Sequence, residues 1–199
     1  MDSFVFFLWV FLIIFALNVA PAFAPATWTI ISYISITYGT NILALAIVGA
    51  VAATLGRLVL ARMSHLILRR RLLSEKTKRN IDVIKVNLES RKAITAGAFL
   101  FYAFSPFPSN NLFIAYGLTT MPLALITIPF FIGRVTSYIF WALSAEGVIR
   151  GLGFKTGESR SFFGYYFIAA QIVTLLLVYV FTKIDWKQLF AEKKLRWMK

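Results

Sequence analysis

Four stretches of the chain are long and almost wholly apolar: residues 4–20, 42–63, 121–143 and 162–182. A helix needs about 20 apolar residues to cross a hydrocarbon core about 30 Å thick, so each is predicted to be a transmembrane helix. The second carries Ala44, Ala46, Gly49, Ala50, Ala52, Ala53 and Gly56, side chains small enough for another helix to approach its backbone closely. Two further apolar stretches are broken. Residues 21–40 contain Pro21, Pro25 and Gly39; residues 93–120 contain Pro106, Pro108, Asn110, Asn111 and Gly117. The uninterrupted part of the latter, residues 93–105, makes only about 20 Å of helix, too little to cross. Proline removes a backbone donor and breaks a helix, and broken backbone at membrane depth is tolerated only where protein buries it or water reaches it. Both stretches are predicted to be re-entrant hairpins.

Composition agrees with an integral membrane protein. Of the 199 residues 59% are hydrophobic and 15% charged, where a soluble domain has about 45–50% and about 25%. The length suits a single domain. Zero Cys excludes disulfides, thiol nucleophiles and cysteine metal sites. One His and eight acids leave little for metal or acid–base chemistry, so no enzyme, no cofactor and no metal are expected. No Lys or Arg precedes the first apolar stretch, and Pro25 blocks cleavage after Ala22-Phe23-Ala24; an uncleaved first helix is expected.

The net charge of +13 would suggest nucleic acid in a soluble protein. Here its distribution suggests otherwise. Residues 57–92 hold 11 of the 21 Lys and Arg and residues 183–199 hold 6, both beside membrane helices. The positive-inside rule places both clusters in the cytoplasm, so an even number of crossings separates them. Two helices supply that number, and residues 93–120 must therefore enter and leave from the cytoplasmic side. Residues 21–40 then enter from outside. The rival topology makes 93–120 a kinked crossing and leaves the basic tail outside. The expected architecture is an all-α, multi-pass membrane protein with four transmembrane helices, two opposed hairpins and both termini cytoplasmic, in the plasma (inner) membrane if prokaryotic. The basic loop 64–92, with Ile81, Ile84 and Leu88 at helical spacing, and the basic tail that follows the helix at 162–182 (to residue 199) either lie on anionic lipid headgroups or serve as solvated topology signals. No nucleic-acid partner is expected; a homo-oligomer is left open.

The halves repeat. Sixteen residues lie between Tyr38-Gly39 and Gly56-Arg57, and fifteen between Tyr116-Gly117 and Gly133-Arg134. Each pair follows a broken hairpin, and the hairpins enter from opposite faces, which makes an inverted repeat of the kind that builds transporter sites. Arg57 and Arg134 lie deepest in apolar sequence, where a charge is functional by default. An arginine fork fits phosphate; Arg57 could equally anchor by snorkelling. Ser109, Asn110 and Asn111, and in the first hairpin Thr27 and Thr29, either cap broken helix ends or bond a headgroup.

Ser105-Pro106-Phe107-Pro108-Ser109-Asn110-Asn111, Tyr116-Gly117-Leu118-Thr119 and Gly133-Arg134 resemble the second half of the DedA family, within the VTT-domain (SNARE-associated Golgi protein) superfamily, and are closer to its Golgi-vesicle-protein branch. Residues 25–57 are similar to the first half, and the resemblance covers residues 21–145. It implies two hairpins meeting near the bilayer middle, with Pro25, Gly39, Pro106, Pro108, Gly117 and Gly133 as structural positions. It also implies translocation of phospholipid or polyprenyl-phosphate lipid between leaflets. The family's acidic position after the first proline motif is Ala26-Thr27-Trp28 here, a second acid is replaced by Arg57, and the Arg-containing second motif reads Ala103-Phe104-Ser105-Pro106-Phe107-Pro108-Ser109. Those departures favour passive scrambling over proton coupling. An ion- or proton-coupled solute transporter and a non-transporting scaffold remain the alternatives.

Overall fold

A short break of turn residues separates the first two of the helices that follow residue 26. Gly39 ends the earlier one in the left-handed conformation, φ 59°, with its N–H on the Ser35 carbonyl, a geometry that glycine adopts without steric cost. Asn41 then caps the next, its Oδ1 accepting from the Ala44 N–H at 3.1 Å. The computed structural model describes residues 3–20, 26–67, 109–119 and 122–151, with isolated helical positions between 75 and 176. All regular structure among them is helical: α1 Ser3–Val19, α2 Thr27–Tyr38, α3 Ile42–Met63, α4 Asn110–Leu118 and α5 Ala124–Gly151.

Among the described residues two helices are long and apolar enough to cross a membrane: α3, which continues to Ile67 for 26 residues in all, and α5 with 28. The 12 residues of α2 and the 9 of α4 reach only about 18 Å and about 14 Å, too short to cross. Pro25, Pro106 and Pro108, the stretch 162–182 beyond isolated positions, and nearly all of the basic loop and tail lie outside the described residues.

One boundary differs from expectation. The apolar pattern stops near residue 143, yet α5 runs to Gly151. Hydropathy falls there while helical periodicity persists: Ala145 and Ile149 stay buried four residues apart, Ser144 bonds the Phe140 carbonyl, and Arg150 reaches Glu146. Residues 144–151, the first part of the loop expected at 144–161, are thus two further helical turns, and they carry a carboxylate into the fold.

Packing centres on α3, against which α1, α4 and α5 all lie, while α2 rests mainly on α5. The small-residue face of α3 points inward as expected. Ala46, Ala50 and Ala53 are buried, and Leu43, Ile47, Val51 and Leu55 form an exposed apolar stripe. A Cβ on Gly56 would meet Asn18 Cβ at 2.7 Å and the Phe15 carbonyl at 2.8 Å, so α1 lies directly on the α3 backbone. A Cβ on Gly117 would overlap the Ala61 carbonyl oxygen, which seats α4 equally close.

Contact order gives the helix directions. Thr27 pairs with Tyr138 and, eight residues farther along both helices, Ser35 pairs with Glu146, so α2 and α5 run parallel. Arg57 meets Ser109 and Ala61 meets Gly117, so α3 and α4 run parallel too. Gly49 faces Tyr138 and Ala61 packs with Ile126 and Phe130, so α3 and α5 are antiparallel. Each short helix therefore packs parallel to the long helix of the other half. The two Tyr-Gly pairs nevertheless differ in role: Gly39 terminates α2, whereas Gly117 is a contact point inside α4.

Candidate functional site

A charge inside apolar sequence must find partners or expel its helix from the core. Arg57 on α3 and Arg134 on α5 are each 5% exposed, and they meet at one atom. Arg57 Nε donates to Ser109 Oγ at 3.1 Å, and Arg134 Nη2 donates to the same oxygen at 3.2 Å. Arg57 Nη1 also donates to the Asn18 carbonyl at 3.0 Å. That bond depends on Gly56, the neighbouring residue, which lets the end of α1 come down onto α3. Arg57 is turned inward and does not snorkel.

Ser109 stands at the N-cap position of α4, yet its side chain makes no capping bond. The hydroxyl instead accepts from both guanidinium groups, which occupies its two lone pairs and leaves its proton to donate to an acceptor. Asn110, buried, begins α4, and Asn111 follows on the same helix. The helix N-terminus adds partial positive charge beside the two arginines.

Arg134 lacks full compensation. Its guanidinium lies 5.1 Å from the Phe130 ring centroid and 6.0 Å from that of Tyr138, within cation–π range. Its Nε is buried with no hydrogen-bond partner, and among the described residues no carboxylate pairs with it. Leaving such a buried donor unmade costs about 1–3 kcal/mol. Four further polar atoms on the helices that hold or adjoin the pair are buried without partners: Thr54 Oγ1, Ser137 Oγ, Asn18 Oδ1 and Trp28 Nε1. Thr54 precedes Arg57 by three residues on α3 and Ser137 follows Arg134 by three on α5, so each shares its arginine's helix face. Native interiors seldom leave such groups unsatisfied without water, an ion or a ligand to meet them.

The start of α2 is tied to this centre through Tyr138, whose hydroxyl lies 2.7 Å from Thr27 Oγ1. Thr29 instead bonds the Ala26 carbonyl of its own first turn at 2.6 Å. Farther along α5, Glu146 Oε1 accepts from Ser35 Oγ at 2.8 Å. Glu146 also faces Arg150 at 3.4 Å, but the Arg150 side chain is 74% exposed, and such pairs contribute little.

Of the predicted residues, Arg57, Arg134 and Ser109 come together directly, Asn110 and Asn111 begin the adjoining helix, and Thr27 joins through Tyr138. Gly133 is buried next to Arg134 and Gly117 holds α4 in place. Sequence reasoning missed Asn18, Thr54, Ser137, Tyr138 and Glu146. Asn18 had a signal: it is the one amide in an otherwise apolar helix. Glu146 had a misleading one, because falling hydropathy assigned it to a loop. The chain matches no family model, no curated protein and no solved structure.

Proposed function

We propose that this chain is a multi-pass membrane protein that moves lipid headgroups passively between leaflets. In this reading four helices cross, the short helices α2 and α4 are the returning limbs of two opposed re-entrant hairpins, and both termini are cytoplasmic. The basic loop and tail lie on anionic headgroups. The carrying observation is the pair of buried arginines, one from each half, that share the Ser109 hydroxyl while Arg134 Nε has no partner. A phosphate supplies what these groups need: several acceptor oxygens and negative charge in a geometry that matches an arginine fork. Thr27 and Asn110 border the phosphate position, and the acyl tails remain in the bilayer. The membrane setting is supported by exposed apolar stripes, such as Leu8, Trp9 and Leu12 on α1 and Ile128, Ile132 and Phe140 on α5, which water would not tolerate at that extent. The resemblance to the DedA family supports the same reading.

Purified protein in liposomes bearing a fluorescent phospholipid tests this. Leaflet equilibration without added energy is the expected result, with Arg134→Gln slower by tenfold or more. Vesicles that stay asymmetric, with protein folded and inserted, would sink the reading. Glu146, a carboxylate held in the α2–α5 contact, favours one alternative, a proton- or ion-coupled solute transporter. That alternative requires movement that depends on an imposed gradient.

A further inference from the structure

The two exchanged helix pairs are built from different materials. Between α3 and α4 the backbone touches at Gly117 and Ala61, and Phe113, Tyr116, Ile126 and Phe130 close one apolar cluster around that contact. Phe113 and Phe130 meet edge to face at 4.7 Å. Between α2 and α5 the contact includes two polar pairs, Thr27 with Tyr138 and Ser35 with Glu146. A stack of Trp28 on Trp141, centroids 4.4 Å apart, lies between them. Trp28 Nε1 and Ser137 Oγ, both buried on these two helices, have no hydrogen-bond partner.

We infer that the α2–α5 seam is the route by which a phosphate-bearing ligand reaches Arg134, closed at rest by Thr27–Tyr138 and Ser35–Glu146; this rests on the arginine pair being the phosphate site. Opening the α3–α4 contact would leave an apolar cavity, which is costly because the lining loses its contacts outright. Opening the α2–α5 contact separates the Trp28–Trp141 stack and exchanges two hydrogen bonds for others. A neutral bond contributes only about 0.5–1.5 kcal/mol net when its partners find substitutes, and water or ligand oxygens supply them. The Thr27–Tyr138 bond lies nearest the centre: Tyr138 flanks the Arg134 guanidinium, and its released hydroxyl can donate to the arriving phosphate. Ser35–Glu146 lies two helical turns farther out, about 12 Å along α5. Released from Ser35, Glu146 keeps Arg150 beside it, so the mouth presents a charge pair and not a bare carboxylate to an anion.

The chain has no cysteine, which permits a direct test. In the Ser35→Cys/Glu146→Cys double variant, oxidation to the disulfide in liposomes should reduce fluorescent-lipid equilibration at least tenfold, and reductant should restore it. Fully cross-linked protein that moves lipid at the reduced protein's rate overturns the route. A second measurement does not depend on cross-linking geometry or on transport. In a Ser137→Cys variant, labelling by a water-soluble maleimide should accelerate several-fold when Glu146→Ala removes the outer pair, and an unchanged rate overturns the route. Wild-type protein that moves no lipid, together with accelerated labelling, removes lipid as cargo and keeps the seam as the way in.

Discussion

Ser109 is the atom-scale junction of the molecule, because two cations from different helices depend on one hydroxyl. Ser109→Ala leaves both donors short of an acceptor, and the expected loss is about 1–3 kcal/mol of stability, read as a lowered unfolding midpoint in detergent. Arg134→Lys separates charge from shape. Lysine keeps the cation but not the planar fork or its face on Phe130, so lipid equilibration should fall about tenfold, the equivalent of about 1.4 kcal/mol, while the protein still folds. An Arg134→Lys protein as fast as wild type would mean that charge alone suffices. The arginines and the Ser109 turn are readable from sequence because a cation or a proline break in apolar surroundings is expensive and therefore conspicuous. Ser137, Thr54 and Tyr138 are not, since small hydroxyls and tyrosines are ordinary in such helices. They stand three or four residues from an arginine on their own helix and so share its face, but that spacing alone does not single them out.

At the scale of elements, glycine decides how closely the helices meet. Gly117→Ala and Gly56→Ala push a methyl into backbone, at the Ala61 carbonyl and at Phe15 and Asn18 respectively. Each should destabilise by about 1–3 kcal/mol as an overpacked contact. Gly56→Ala should in addition slow the proposed lipid equilibration, because it lifts the Asn18 carbonyl from Arg57. Gly147, on the exposed side of α5 with nothing within 4 Å, is the contrast: Gly147→Ala should be neutral or stabilising by up to about 1 kcal/mol. Thermal unfolding of the three variants in one detergent checks the ordering. The ends of α3 agree with the apolar pattern, helped by the Asn41 cap and the αL glycine before it. The end of α5 does not, because hydropathy reports solvent and not helicity. The paired Tyr-Gly motifs mark corresponding places in the two halves without predicting that one glycine ends a helix and the other seats one.

For the whole molecule, helix direction turns into a prediction about sides. Because α2 and α5 run parallel and α3 runs against them, the C-terminal ends of α2 and α5 belong at one face and that of α3 at the other. Under the proposed topology the basic charge says which is which: the dense basic segment that begins within α3 and continues past it is the cytoplasmic one. Single cysteines report this in a chain that has none. Tyr38→Cys, at the exposed end of α2, and Gly147→Cys, near the end of α5, should both label from outside intact cells with an impermeant maleimide. Leu66→Cys, exposed at the end of the α3 extension, should label only after permeabilisation. The three sites distinguish the causes of a failure. If Gly147→Cys labels with Leu66→Cys, α5 does not complete its crossing. If Tyr38→Cys labels with Leu66→Cys, α3 does not cross, and the proposed opposed entry of two hairpins fails with it. If all three labels are inverted together, the helix arrangement stands and the basic segment has been assigned to the wrong side.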